Sequence, residues 1–164
     1  MSSGKAKAPH RTLTLWGVDF TCAPSKRKAI TVAHGAWHGG TLQLLHVEAL
    51  VTMPLFEQLL QRQGPWLGAF DFPFGLPRAF VTSQHLGNTM DAVIVAMHQR
   101  CGNRMAMRAM IDAWTADRPS GSKLPHRLTD RTTSGVASTS PLQTRYVPVG
   151  WMYFEGAKRL MQAD

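Results

Sequence analysis

Four short β-prone stretches and four helical patterns can be read from the order of apolar and polar positions. Leu13 to Phe20 (LTLWGVDF) is short, apolar and rich in strand formers. Ala29–His34 (AITVAH) and Thr41–Val47 (TLQLLHV) flank a glycine-containing segment, His34–Gly40 (HGAWHGG), which predicts a bend and so three antiparallel strands joined by hairpins. Thr52 is placed to cap a helix beginning near Pro54, with Leu55, Phe56, Leu59 and Leu60 on its apolar face and Gly64-Pro65 beyond its end. Trp66–Phe72 (WLGAFDF) is apolar enough for a central strand buried on both faces, and it enters the rigid turn Pro73-Phe74-Gly75-Leu76-Pro77. The strand, helix, strand crossover makes the first and last of these strands parallel, a mixed α/β arrangement.

Met90, Val93, Ile94 and Met97 recur at helical spacing, as do Met107, Met110, Ile111 and Trp114. Such methionine stripes serve adaptable core packing more often than ligand binding. From Asp117 to Ser140 the chain is rich in Ser, Thr, Arg and Pro with little periodicity, as expected of a long surface loop. Tyr153, Ala157, Leu160 and Met161 mark a last amphipathic helix. There is no internal repeat or low-complexity tract.

Composition narrows the functional classes. At 164 residues the chain fits one domain by the usual length relation. No apolar run approaches the roughly 18 residues of a membrane span, so no membrane partner is expected. The first eleven residues (MSSGKAKAPHR) lack the apolar centre of a secretory signal and are expected to form a flexible basic tail. Cys22 and Cys101 are far apart and make no CxxC, consistent with reduced thiols in a cytoplasmic protein. Eighteen Lys and Arg against 10 Asp and Glu leave a net charge of +8, a field that attracts polyanions such as nucleic acid or nucleotide. Part of that charge lies in the tail and the long loop.

Two of the ten acidic residues, Asp19 and Asp71, fall at the carboxyl ends of strongly apolar predicted strands. A carboxylate buried among Val18, Phe20, Phe70 and Phe72 is disfavoured unless a cation, a basic partner or backbone donors compensate. Either residue alone is also explained as a turn-forming aspartate. As a pair on neighbouring parallel strands, about 4.8 Å apart, they converge within reach of one divalent ion, and oxygen donors of this kind suit Mg²⁺ or Mn²⁺.

The segments GVDF (Gly17–Phe20), FDFPFGLP (Phe70–Pro77), TSPLQ (Thr139–Gln143) and VGWMYFEGAKRL (Val149–Leu160) resemble a family of predicted RNase H-like nucleases classed as a domain of unknown function. The Asp-x-Pro-x-Gly-Leu-Pro element at Asp71–Pro77 is the most specific part of that resemblance, which extends from about Leu13 onward. It implies an RNase H-like mixed sheet of three antiparallel strands, a helix and a parallel strand, with helices packed on it. It also implies a domain spanning 12–164 that lacks the family's C-terminal strands and acidic helix. The implied activity is hydrolysis of phosphodiesters by metal-activated water, with Asp19 and Asp71 as ligands of Mg or Mn.

A further carboxylate is then needed. Glu57 on the first helix is the candidate, with Glu48 second and Asp130 a third ligand or an ion-pair partner of Arg131. Among Arg118, Lys123, Arg127, Arg131 and Arg145, the expected phosphate donors are Arg127, Arg131 and Arg145, against the alternative of a solvated loop. His34 and His38 invite a metal reading, but glycines at a hairpin bend explain the segment more simply. An actin-like or sugar-kinase-like phosphotransferase or ATPase shares the strand order but normally needs a glycine-rich phosphate loop, and no GxxxxGK[ST] occurs. A non-catalytic polyanion-binding module of the same fold is the third alternative.

Overall fold

The computed structural model describes residues 13–132 and 138–163, so the expected N-terminal tail and residues 133–137 of the long loop lie outside the described residues. The chain forms two compact units, Met1–Asp19 with Pro24–Phe70, and Phe20–Ala23 with Asp71–Asp164.

The first unit is built on one four-stranded mixed sheet. Its elements are β1 (Thr14–Asp19), β2 (Ile30–His38), β3 (Thr41–Leu50), helix α1 (Met53–Leu60) and β4 (Trp66–Phe70). The strand order is β3-β2-β1-β4. β1, β2 and β3 are antiparallel neighbours, and β4 lies parallel to β1, as the hydrophobic pattern predicts. The Thr52 hydroxyl accepts from the Leu55 N–H at the start of α1, and Pro54 sits in the first turn. Phe56, Leu59 and Leu60 of this helix are buried, as are Trp16, Val18, Ile30, Val32 and Leu50 of the sheet. Full burial of side chains such as Ile30, Val32, Phe56 and Leu59 contributes about 1.5–3 kcal/mol each.

Two expectations are corrected. The segment His34–Gly40 is not a bend, because β2 continues to His38 and only Gly39 and Gly40, at φ of 55° and 82°, make the turn. Consecutive positive φ angles are what a two-residue hairpin requires, and glycine adopts them without a Cβ penalty. The second correction concerns β4, which is an edge strand among the described residues and is not buried on both faces: Leu67 is 61% exposed.

A bulge decides which side chains of β3 face the core. His34 pairs with His46 and Gly35 with Leu44, leaving Leu45 as an extra residue. Because side chains alternate, one extra residue exchanges the two faces. His46 and Glu48 therefore lie on the face of His34 and Val32, whereas Leu42 and Leu44 lie on the opposite face with Leu15 and Leu67. That second face carries an open groove of about 510 Å³ floored by Gly17, Ala33, Gly35 and Ala69.

The second unit contains α2 (Arg78–Ser83), α3 (Met90–Arg100), α4 (Arg104–Thr115), α5 (Thr129–Thr132) and α6 (Val149–Met161), with a 3-10 turn at Ser120–Ser122. The expected long loop thus contains two short helical pieces. Thr89 caps α3 through the Ala92 N–H, and the Asn103 side chain caps α4 by accepting from Met105 and Ala106. The core gathers Phe80, Ile94, Met97, Met107, Ile111, Leu142 and Tyr153. Met97 and Met107 are core residues, as the packing explanation of the methionine stripes requires, while Met90 is exposed.

Gly156 of α6 lies against the Phe72 ring, and a Cβ at this position would stand 2.7–2.9 Å from three ring carbons. Phe72 is itself buried and packs on Phe20 at 4.8 Å, so the ring has little room to yield. Gly156→Ala gains about 1 kcal/mol of helix propensity but meets an overpacking cost of roughly 1–3 kcal/mol. Urea denaturation is expected to show net destabilisation, and Phe72→Leu in the same chain should relieve it.

Candidate functional site

The parallel ladder pairs Thr14 with Trp66 and proceeds in register to Val18 with Phe70. Asp19 is the next residue of β1, and Asp71 is the residue that follows Phe70 in the chain. Asp19 pairs across the antiparallel ladder with Thr31 and is exposed. Asp71 is exposed as well, and its Oδ1 accepts a hydrogen bond from the Phe20 N–H at 2.8 Å. The sequence argument from buried carboxylates is therefore corrected: alternation turns Asp19 to the open face, opposite Trp16 and Val18. Neither group suffers the desolvation that would by itself demand a cation.

Beyond Asp71 the Pro-Phe-Gly-Leu-Pro turn is held firmly. Phe72 meets Phe74 at 5.5 Å, and Arg127 Nη1 donates to the Gly75 carbonyl at 3.3 Å. A cavity of about 450 Å³ opens between this turn and the start of α3, lined by Phe74, Leu76, Arg78, Thr89 and Tyr153 among others. The Tyr153 hydroxyl is buried without a partner among the described residues, and burial pushes its pKa well above the ordinary phenol value.

The other sequence candidates lie on several elements. Glu57 is exposed on α1. Glu48 belongs to a polar cluster on β2 and β3, where His34 donates from Nε2 to Oε2 at 2.8 Å and Arg62 donates to Oε1 at 2.9 Å. The Arg62 hydrogen bond holds the Glu48 carboxyl below its usual range, outweighing the opposing effect of partial burial, with His34 adding to it. Asp130 is buried, and its partner is Arg127 rather than Arg131, with N–H donors at 2.6–3.1 Å from the side chain and backbone of Arg127. Arg145 forms a bidentate pair with Asp112 at 2.7 and 2.8 Å. Arg127 and Arg145 are thus engaged within the protein, whereas Arg131 is exposed. Arg118 lies over the Trp114 ring at 4.2 Å. Cys22 and Cys101 are free, buried thiols, and burial raises the Cys101 pKa, an environment of low reactivity.

No protein-family model, curated protein or solved structure matches this chain. What the site can do rests on its own geometry. Among the described residues no helix is long and apolar enough to cross a membrane. His38 ends β2 in an exposed position, so the sequence pair His34 and His38 does not form a site. His34 instead meets His46, which sequence reasoning missed. Its signal was the alternation His46-Val47-Glu48, which places two metal-ligating side chains on one face of a strand.

Asp130 gives a pH-dependent test of the fold around the turn. Burial raises its pKa, but the side-chain and backbone hydrogen bonds from Arg127 and the guanidinium charge outweigh this and lower it overall. A depressed folded-state pKa stabilises the protein above the unfolded carboxyl value of about 3.9. That contribution is lost as pH falls through the lower folded value. Asp130→Asn is expected to cost about 1–3 kcal/mol near neutral pH, with the gap to wild type closing as pH falls below the unfolded carboxyl value and through the lower folded one in urea unfolding across pH.

Proposed function

We propose that this chain is a metal-dependent nuclease of the RNase H-like kind, with Asp19 and Asp71 as ligands of Mg²⁺ or Mn²⁺ and a nucleic-acid phosphodiester as substrate. One observation carries the reading: β1 and β4 are parallel neighbours in register to Val18 and Phe70, and an aspartate follows each. The carboxyl ends of parallel strands are where open α/β sheets bind ligands. The strand order β3-β2-β1-β4 with β4 parallel to β1 supports this reading, and the net charge of +8 favours a polyanionic substrate.

The donor set fits a hard divalent cation, since both candidates offer carboxylate oxygens. Bound there, such an ion supplies a water acidic enough to act as a nucleophile near neutral pH. The protein's part is positional. The Phe20 N–H fixes the orientation of the Asp71 carboxylate, and the β1 ladder fixes the backbone of Asp19. Glu57, exposed on α1, is the proposed third carboxylate. Arg131 is the proposed phosphate contact, because Arg127 and Arg145 already hold Asp130 and Asp112.

Calorimetric titration of Mg²⁺ and Mn²⁺ into wild type, Asp19→Asn and Asp71→Asn, paired with cleavage of labelled DNA and RNA, tests this reading. Expected are ion binding and cleavage in wild type, both reduced to background in either variant while the circular dichroism spectrum is unchanged. Salt-dependent nucleic-acid binding without turnover would instead identify a polyanion-binding module.

A further inference from the structure

We infer that the chain carries a second cation site, independent of the nuclease reading, in which His34, His46 and Glu48 bind a borderline transition ion such as Zn²⁺ at the β2–β3 edge of the sheet. Their ligand atoms all lie within 4.8 Å of one another. Backbone register brings them together: His34 and His46 are direct cross-strand partners, and Glu48 is two residues beyond His46 on the same face. The bulge at Leu45 leaves these two ligands on the face of His34 while Leu42 and Leu44 before it lie on the opposite face.

Two imidazoles and one carboxylate are the donor set of a three-ligand zinc site with an open fourth position. Imidazole nitrogen selects zinc, copper or nickel over magnesium, so the site differs in kind from a pair of aspartates. Bonds of about 2.0–2.2 Å in tetrahedral array set donors roughly 3.4 Å apart. Closure from the observed spacing asks mainly for His46 to turn. Its ring is now stacked on His34, with centroids 4.2 Å apart and planes at 9°, and must open so that both lone pairs meet the ion. His46 is exposed on an edge strand and has that freedom.

Neighbouring groups complete the argument. Arg62 holds Glu48 Oε1, which leaves Oε2 directed at His34, and the ion would take the place of the proton now shared by Oε2 and Nε2. Such an outer partner orients a ligating carboxylate. Trp16, edge to face with His34 at 6.1 Å, buries an indole N–H that has no acceptor among the described residues. A purely structural staple accounts for His34, Glu48 and Arg62, with His46 adding its ring stack on His34.

The test is titration of Zn²⁺ into the full chain by calorimetry, with Co²⁺ absorption reporting tetrahedral nitrogen and oxygen ligation. One ion per chain is expected in wild type and in Asp71→Asn. His46→Ala, at an exposed position that leaves the fold intact by circular dichroism, should weaken binding by about a hundredfold or more, and Arg62→Ala by about tenfold. Absence of stoichiometric binding in wild type, or equal affinity in His46→Ala, would overturn the inference.

Discussion

Parallel pairing of Thr14–Val18 with Trp66–Phe70 obliges the intervening chain to return to the starting end of the sheet before β4 begins. The β2–β3 hairpin adds an even number of reversals, so it cannot do this alone. α1 makes the return, at about 12 Å for eight residues, with Gln61–Pro65 completing the path. Because the helix must lie along the sheet to do so, it covers one face, where its Phe56 meets Phe70 edge to face at 6.3 Å. The same pairing is what sets the carboxyl ends of β1 and β4 side by side. The core of this unit and the position of Asp19 at the end of β1 thus follow from one topological requirement.

On the covered face, polar side chains are accommodated as a row rather than singly. Trp66, Trp16, His34 and His46 stack or meet edge to face in the order of the strands that carry them. Glu48 adjoins this row and is matched by donors on both oxygens, which is what a partly buried carboxylate needs if it is to remain charged. The second unit handles charge by the same rule. Arg127 joins the buried Asp130 to the carbonyl of Gly75, so the turn after Asp71 is tied down by a residue from the basic loop. A positive net charge therefore overstates the number of cations available to a polyanion, because several are committed to partners within the fold.

Strand directions, the capped α1 and the apolar faces of α3, α4 and α6 were legible in the sequence, because alternation, helical spacing and a Thr-x-Pro start report local preferences directly. What escaped was non-local. The glycines of His34–Gly40 suggested a bend over the whole segment, but only Gly39 and Gly40 need positive φ, and Gly35 lies in a strand where a Cβ would stand 3.1 Å from the Gln43 carbonyl. The exposure of β4 was hidden because an apolar run looks the same on an edge as at the centre. The positions of Asp19 and Asp71 after apolar strands are legible in the sequence, whereas the partners of Asp130 and Glu48 depend on which arginine the fold brings near. His46 was overlooked since its meaning arises only when the Leu45 bulge sets it beside His34.

The two proposed cation sites are kept apart by the pleat of a single strand. On β2, Thr31 faces Asp19 across the ladder, and His34 faces Trp16 three residues further on. Three residues span about 10 Å along a strand and change the face of the sheet. Asp19 is consequently on the open face and His34 on the covered one, so no ion can be shared between them. Ligand chemistry separates them again, since carboxylate oxygens suit hard magnesium-like ions and imidazoles suit zinc-like ones. Occupancy of the two positions should therefore be governed independently, by different ions and on opposite faces of the same sheet.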